Sequence, residues 1–87
     1  MVDVKQAIRE VIAYFAELYP QMGNVHLEEV ELSEDERFWY ITIGYTPPNE
    51  KVTGLYELFG SKREYKIFKV NSETGKVISM KIREVAR

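Results

Sequence analysis

The sequence predicts an α+β domain in which one N-terminal helix packs on a four-stranded antiparallel sheet, with a long excursion between strands 2 and 3. Three observations predict it. Apolar residues recur at three- and four-residue intervals from Val4 to Tyr19, strand-type alternation runs through RFWYITIGYT at 37–46, and REYKIFKVNSETGKVISMKIR at 63–83 spells two strands around a four-residue turn. At 87 residues, 45% hydrophobic and 30% charged, the chain has room for one core, so a single domain spanning 1–87 is expected. A domain this short buries only about 60 to 65% of the surface its unfolded chain exposes, so a partner or a second copy would add stability by mass action.

The helix is predicted over residues 3–19. Asp3 followed three residues later by Gln6 makes a capping box, and Val4, Ala7, Ile8, Val11, Ile12, Phe15, Leu18 and Tyr19 form the apolar stripe. Pro20 and Gly23 end it, because the residue before a proline disfavours the α region. In VHLEEVELS (25–33) Val25 and Leu27 lie on one phase and Val30 and Leu32 on the other, so a bulge or bend is expected near Glu28 and Glu29. Ser33 to Glu36 form a polar turn. Strand 2 then places Trp39, Ile41, Ile43 and Tyr45 toward the helix and Phe38, Tyr40, Thr42 and Gly44 away from it.

Pro47 and Pro48 stop that strand, and 18 residues, 47–64, separate it from the next. Within this excursion KVTGLYELFG is apolar enough for a short helical turn. Its Leu55, Tyr56, Leu58 and Phe59 are the candidate protein-binding residues, covering an open end of the core or meeting a partner or a second copy. In the closing hairpin Ser72 to Gly75 form the loop, Gly75 supplying a positive φ. A four-residue loop pairs Asn71 with Lys76 and puts Tyr65, Ile67, Ile78, Met80 and Ile82 on one face, with Lys66, Phe68, Val70, Val77, Ser79, Lys81 and Arg83 on the other. A three-residue loop would instead join Phe68 and Val70 to Ile78, Met80 and Ile82.

The leading helix, then WYITI, then the hairpin signature Val70-Asn71-Ser72-Glu73-Thr74-Gly75-Lys76-Val77 together resemble PepSY-like domains, over roughly residues 1–46 and 63–83. In that family a helix packs on an antiparallel sheet and the closing hairpin often reads V-D-x-x-T-G-x-V. The family is associated with inhibitory or chaperone-like regions of peptidase precursors and with exported or membrane-anchored regulators. The resemblance therefore implies binding to another protein, with no chemistry of its own. The chain departs from the family pattern in its 47–64 insertion and in having no stretch that reads as a signal peptide or anchor.

Charge and motifs narrow the function. No run of 18 apolar residues exists, and Asp3, Lys5, Arg9 and Glu10 interrupt the N-terminus where a secretory peptide needs an apolar core, so a cytoplasmic protein is expected. With no cysteine, thiolate nucleophiles, thiolate metal sites and disulfides are excluded. The net charge of -2 argues against general nucleic-acid binding, although Lys66, Lys81 and Arg83 could meet phosphates. Charge is uneven: residues 25–36 carry six acids and no Lys or Arg, while residues 60–87 carry eight bases against three acids, which predicts ion pairs between the first and last strands.

His26 and Glu28 would share a strand face, giving two metal ligands, too few for a site without further carboxylates. Ser33, Ser61, Ser72 and Ser79 lack a G-x-S-x-G frame. GLYELFGSK at 54–62 has the wrong spacing and order for a phosphate loop. Glu28 and Glu29 are expected on opposite faces and Glu29 with Glu31 on one, as a solvated acidic strand. Trp39 is expected in the core. The sequence thus predicts a non-enzymatic protein-binding or regulatory module, with no cofactor, able to form a homodimer; the alternative is a small-ligand or metal-dependent enzyme subunit using His26 and nearby carboxylates.

Overall fold

A computed structural model describes residues 1–48 and 63–84. In chain order the elements are α1 (Val4–Leu18), β1 (Gly23–Leu32), β2 (Phe38–Thr46), β3 (Glu64–Asn71) and β4 (Val77–Ile82). The strands pair antiparallel in the order β1-β2-β3-β4, with α1 across one face, as the sequence predicts.

Asp3 caps α1: its Oδ1 accepts the Gln6 N–H at 2.8 Å, satisfying one of the orphan donors of the first turn. The helix stops one residue before Pro20, where Tyr19 leaves helical geometry while its N–H still reaches the Phe15 carbonyl at 2.8 Å. Ala7, Val11 and Phe15, four residues apart, are buried, while Ile12 and Leu18 remain exposed, so the covered contact is narrower than the apolar stripe. Phe15 anchors the layer, its ring centroid 4.9 Å from Tyr45 and 6.3 Å from Phe68. Burial of one such ring stabilises by about 1.5 to 3 kcal/mol.

Ile41, Ile43 and Tyr45 are buried beneath the helix, and the half-buried Trp39 packs against the same core, its Nε1–H donating to the Val2 carbonyl at 3.2 Å. β1 carries the expected bulge. Leu27 pairs with Ile43 and Glu29 with Thr42, so Glu28 is the extra residue. A second irregularity follows Gly23, where Asn24 takes a φ of 51°.

The closing hairpin combines both of the anticipated registers. The loop has four residues, with the Asn71 N–H donating to Lys76 O at 2.9 Å and the Asn71 side chain accepting the Glu73 and Thr74 N–H groups. Val70 pairs with Val77, yet Lys69 pairs with Ser79 and Phe68 with Met80, so β4 gains one residue at Val77–Ile78. Phe68 and Val70 therefore share a face with Val77, as the four-residue loop predicts, and with Met80, as the three-residue loop predicts. The bulge turns the later residues of β4, so that Met80 joins Val77 on the helix side, while the unbroken pairing of β3 with β2 buries Phe68 opposite Ile41 and Val70 opposite Trp39 and turns Tyr65 and Ile67 away.

Ser72 ties the sheet end together. Fully buried, it donates Oγ–H to Glu36 O at 2.7 Å and N–H to Arg37 O at 2.9 Å, and its carbonyl accepts the Val2 N–H at 2.6 Å. The β1–β2 turn, the β3–β4 turn and the segment leading into α1 thus meet at one serine. Among the described residues, no helix is long and apolar enough to cross a membrane.

Candidate functional site

Strand alternation and register assign the sheet face away from α1 row by row, since directly paired residues share a face. One row reads Glu31, Tyr40, Lys69 and Ser79 from β1 to β4; the next reads Glu29, Thr42, Ile67 and Lys81. A third reads His26, Gly44 and Tyr65, continued by Arg83, whose N–H donates to Tyr65 O at 2.9 Å. The columns differ in character. β1 is acidic, β4 and its extension are basic, and the half-buried Tyr40, Tyr65 and Ile67 lie between them.

Two arginines cross this face. Arg83 donates from its guanidinium to Thr42 Oγ1 at 2.7 Å and to the Glu29 carboxylate, reaching from the β4 side to β1. Thr42 is only 3% exposed although α1 does not cover it, because the Arg83 side chain does. Arg63 donates to Glu28 Oε2 at 3.0 Å and to Asn24 O at 3.0 Å. It lies directly over Gly44: a Cβ there would sit 2.5 Å from the Glu28 carboxylate and 2.7 Å from the Arg63 guanidinium. The predicted pairing of an acidic first strand with basic last residues is thus realised twice. The bulge places Glu28 over Gly44, on the side Glu29 also uses, and so corrects the expectation that the two carboxylates face opposite ways.

The remaining cations divide between the faces. Lys69 Nζ stands 4.1 Å from the Phe38 ring centroid on the helix-free face. Lys66 lies on the helix side, its Nζ 5.8 Å from the Tyr19 ring and 5.9 Å from the Tyr45 ring. Lys66, Lys81 and Arg83 therefore do not form one basic surface, and Arg83 is already engaged by Glu29.

His26 is exposed, and its register partner Gly44 brings no side chain to it. Among the described residues no group of three or more His, Cys, Asp or Glu is gathered around a common point. A cleft of about 360 Å³ opens at the turn end of the sheet beside Asp35, Arg37, Phe38, Asn71 and Glu73. The Ser33 hydroxyl, 2.6 Å away, and the Arg37 N–H, 3.1 Å away, hold the Asp35 carboxyl below the usual aspartate range. That carboxylate shapes the β1–β2 turn. Tyr45 is shifted the other way: burial, then its hydrogen bond to Glu64 at 3.1 Å, pushes the phenol up to about 12.

Alternation in the sequence puts Phe38, Tyr40, Thr42 and Gly44 on this face but does not place Tyr65 and Ile67 there, because their facing follows from the pairing of β3 with β2 across residues distant in the chain. Leu55, Tyr56, Leu58 and Phe59, like Ser61 and the rest of GLYELFGSK, lie outside the described residues. Neither the protein-family models, nor the curated proteins, nor the solved structures contain a match to the chain.

Proposed function

We propose that the chain is a non-enzymatic protein-binding module whose recognition surface is the helix-free face of the sheet. The observation that carries this is the layout of that face: Tyr40, Tyr65 and Ile67 stand half-buried between an acidic and a basic column. Aromatic and aliphatic groups ringed by charge are the composition of a protein interface, in which the apolar centre supplies energy and the rim supplies orientation. The carboxylates nearest His26 support the same reading, because Glu28 and Glu29 are taken up by Arg63 and Arg83 and so serve the sheet. The resemblance to PepSY-like domains points the same way. Leu55, Tyr56, Leu58 and Phe59 are a second contact, proposed on their sequence alone.

Affinity capture from the native cell tests the reading. The tagged parent is compared with Tyr40→Glu/Ile67→Glu and with Leu58→Lys/Phe59→Ser, each first shown to be folded by circular dichroism. A protein retained by the parent and lost from the Tyr40→Glu/Ile67→Glu variant is the expected result. Equal capture by that folded variant removes the sheet face from recognition.

A further inference from the structure

We infer that the helix-free face receives a second copy of this chain, packed sheet to sheet about a two-fold axis parallel to the strands. This rests on that face being the recognition surface. Two face-to-face arrangements keep the strands of both copies aligned under two-fold symmetry. An axis across the strands sets β1 over the partner's β1, acid over acid. An axis along the strands sets β1 of each copy over β4 of the other, so that the Glu29 and Glu31 column meets the Lys81 column twice, once on each side of the axis. The same rotation lays β2 over β3 row by row, setting Thr42 of one copy over Ile67 of the other and Tyr40 over Lys69 at the centre, with Tyr40 and Ile67 in adjacent rows.

Charge complementarity therefore selects the occupant and the axis together. Within one copy, among the described residues, Glu29 is paired by Arg83 and Glu28 by Arg63, while Glu31 and Lys81 make no ion pair. Lys69 is stacked on the Phe38 ring, so these are the two charges left at opposite margins of the face; the rotation sets Lys81 of one copy over Glu29 of the other and one row, about 7 Å, from its Glu31, within the reach of the two long side chains. The area is sufficient. Four strands about 4.8 Å apart and about seven residues of roughly 3.3 Å each give a face of about 19 by 23 Å. Counted on both copies, that is roughly 900 Å² in plan, more with side-chain relief, the scale of a weak specific dimer.

Sedimentation equilibrium on the full chain, from low to high micromolar concentration, tests the inference with Glu31→Lys and Lys81→Glu. Both positions are solvent-facing, and an unchanged thermal midpoint for each variant establishes that it is folded. The parent should dimerise, and each single variant should lose roughly tenfold or more in association, because each reversal sets like charges together at two symmetric places. An equimolar mixture of the two variants should recover the parent's association. In the mixed dimer the lysine introduced in one copy meets the glutamate introduced in the other, and at the second contact the unaltered Lys81 meets the unaltered Glu31. A parent that stays monomeric overturns the second copy while leaving the face open to a different protein, which the capture experiment reads separately. A dimer that the mixture does not restore, or that folded Ile67→Glu leaves intact, overturns the arrangement; the latter result also removes the sheet face from recognition.

Discussion

Gly75 adopts a φ of 77°, and a Cβ at that position would lie 3.4 Å from Val2 Cγ2, so backbone and neighbour both oppose a side chain. A β-branched residue resists the left-handed region most, and Gly75→Val should lower stability by about 1 kcal/mol or more in denaturant titration, with Gly75→Asn losing less. Equal stability of parent and Val variant would contradict the positive φ. Tyr45 makes a prediction about pH. Its folded pKa stands at about 12 against an ordinary 10.0, so the folded state favours the protonated phenol. That contribution is fully present below pH 10 and is lost as pH rises through 12. Absorbance at 295 nm should show one of the six tyrosines ionising late, and Tyr45→Phe should remove that late step and flatten the alkaline loss of stability. Gly75 was readable from its place in a four-residue loop, whereas the environment of Tyr45 depends on Phe15 and Glu64, far away in the chain.

At the scale of the element, α1 shows why period alone overstates a contact. The sequence marks eight apolar positions from Val4 to Tyr19, but the sheet covers Ala7, Val11 and Phe15 fully and leaves Ile12 and Leu18 exposed. A helix face is wider than the strip of sheet beneath it. Phe15→Asp places a carboxylate where no water reaches and should unfold the domain, at a cost of several kcal/mol in a fold with little to spare. Ile8 sits half-buried at the margin of the stripe, so Ile8→Asp should lower the thermal midpoint and leave a cooperative transition. A Phe15→Asp variant melting near the parent would show that α1 does not depend on this contact. The strands give a complementary lesson. The slip in β1 was visible because Val25 and Val30 occupy opposite phases, while the bulge at Val77–Ile78 was not, because either register presents apolar residues on the same strand.

At the scale of the molecule, Ser72 joins three chain segments that no local rule connects: the β1–β2 turn through Glu36 and Arg37, its own hairpin, and the entry to α1 through Val2. Ser72→Ala should cost roughly 1 to 3 kcal/mol in chemical denaturation, since it strands the Glu36 carbonyl at a buried junction, while Ser79→Ala on the sheet face should stay within about 0.5 kcal/mol. Equal effects would mean that the junction carries no special share of stability. The two charge clusters behave in the same non-local way. Their opposite signs in sequence were enough to predict that first and last strands attract one another, and the register then decided which arginine meets which glutamate. The helix and its cap, the four strands, the loop with its glycine and the face of β2 that enters the core are legible in the residues alone, because each follows from a local period or a local backbone preference. The facing of the last hairpin, the placement of Glu28 over Gly44 and the surface left free of the helix emerge from packing alone, because β3 takes its facing from its pairing with β2 and a single inserted residue in β1 or β4 turns every later side chain of that strand to the opposite face.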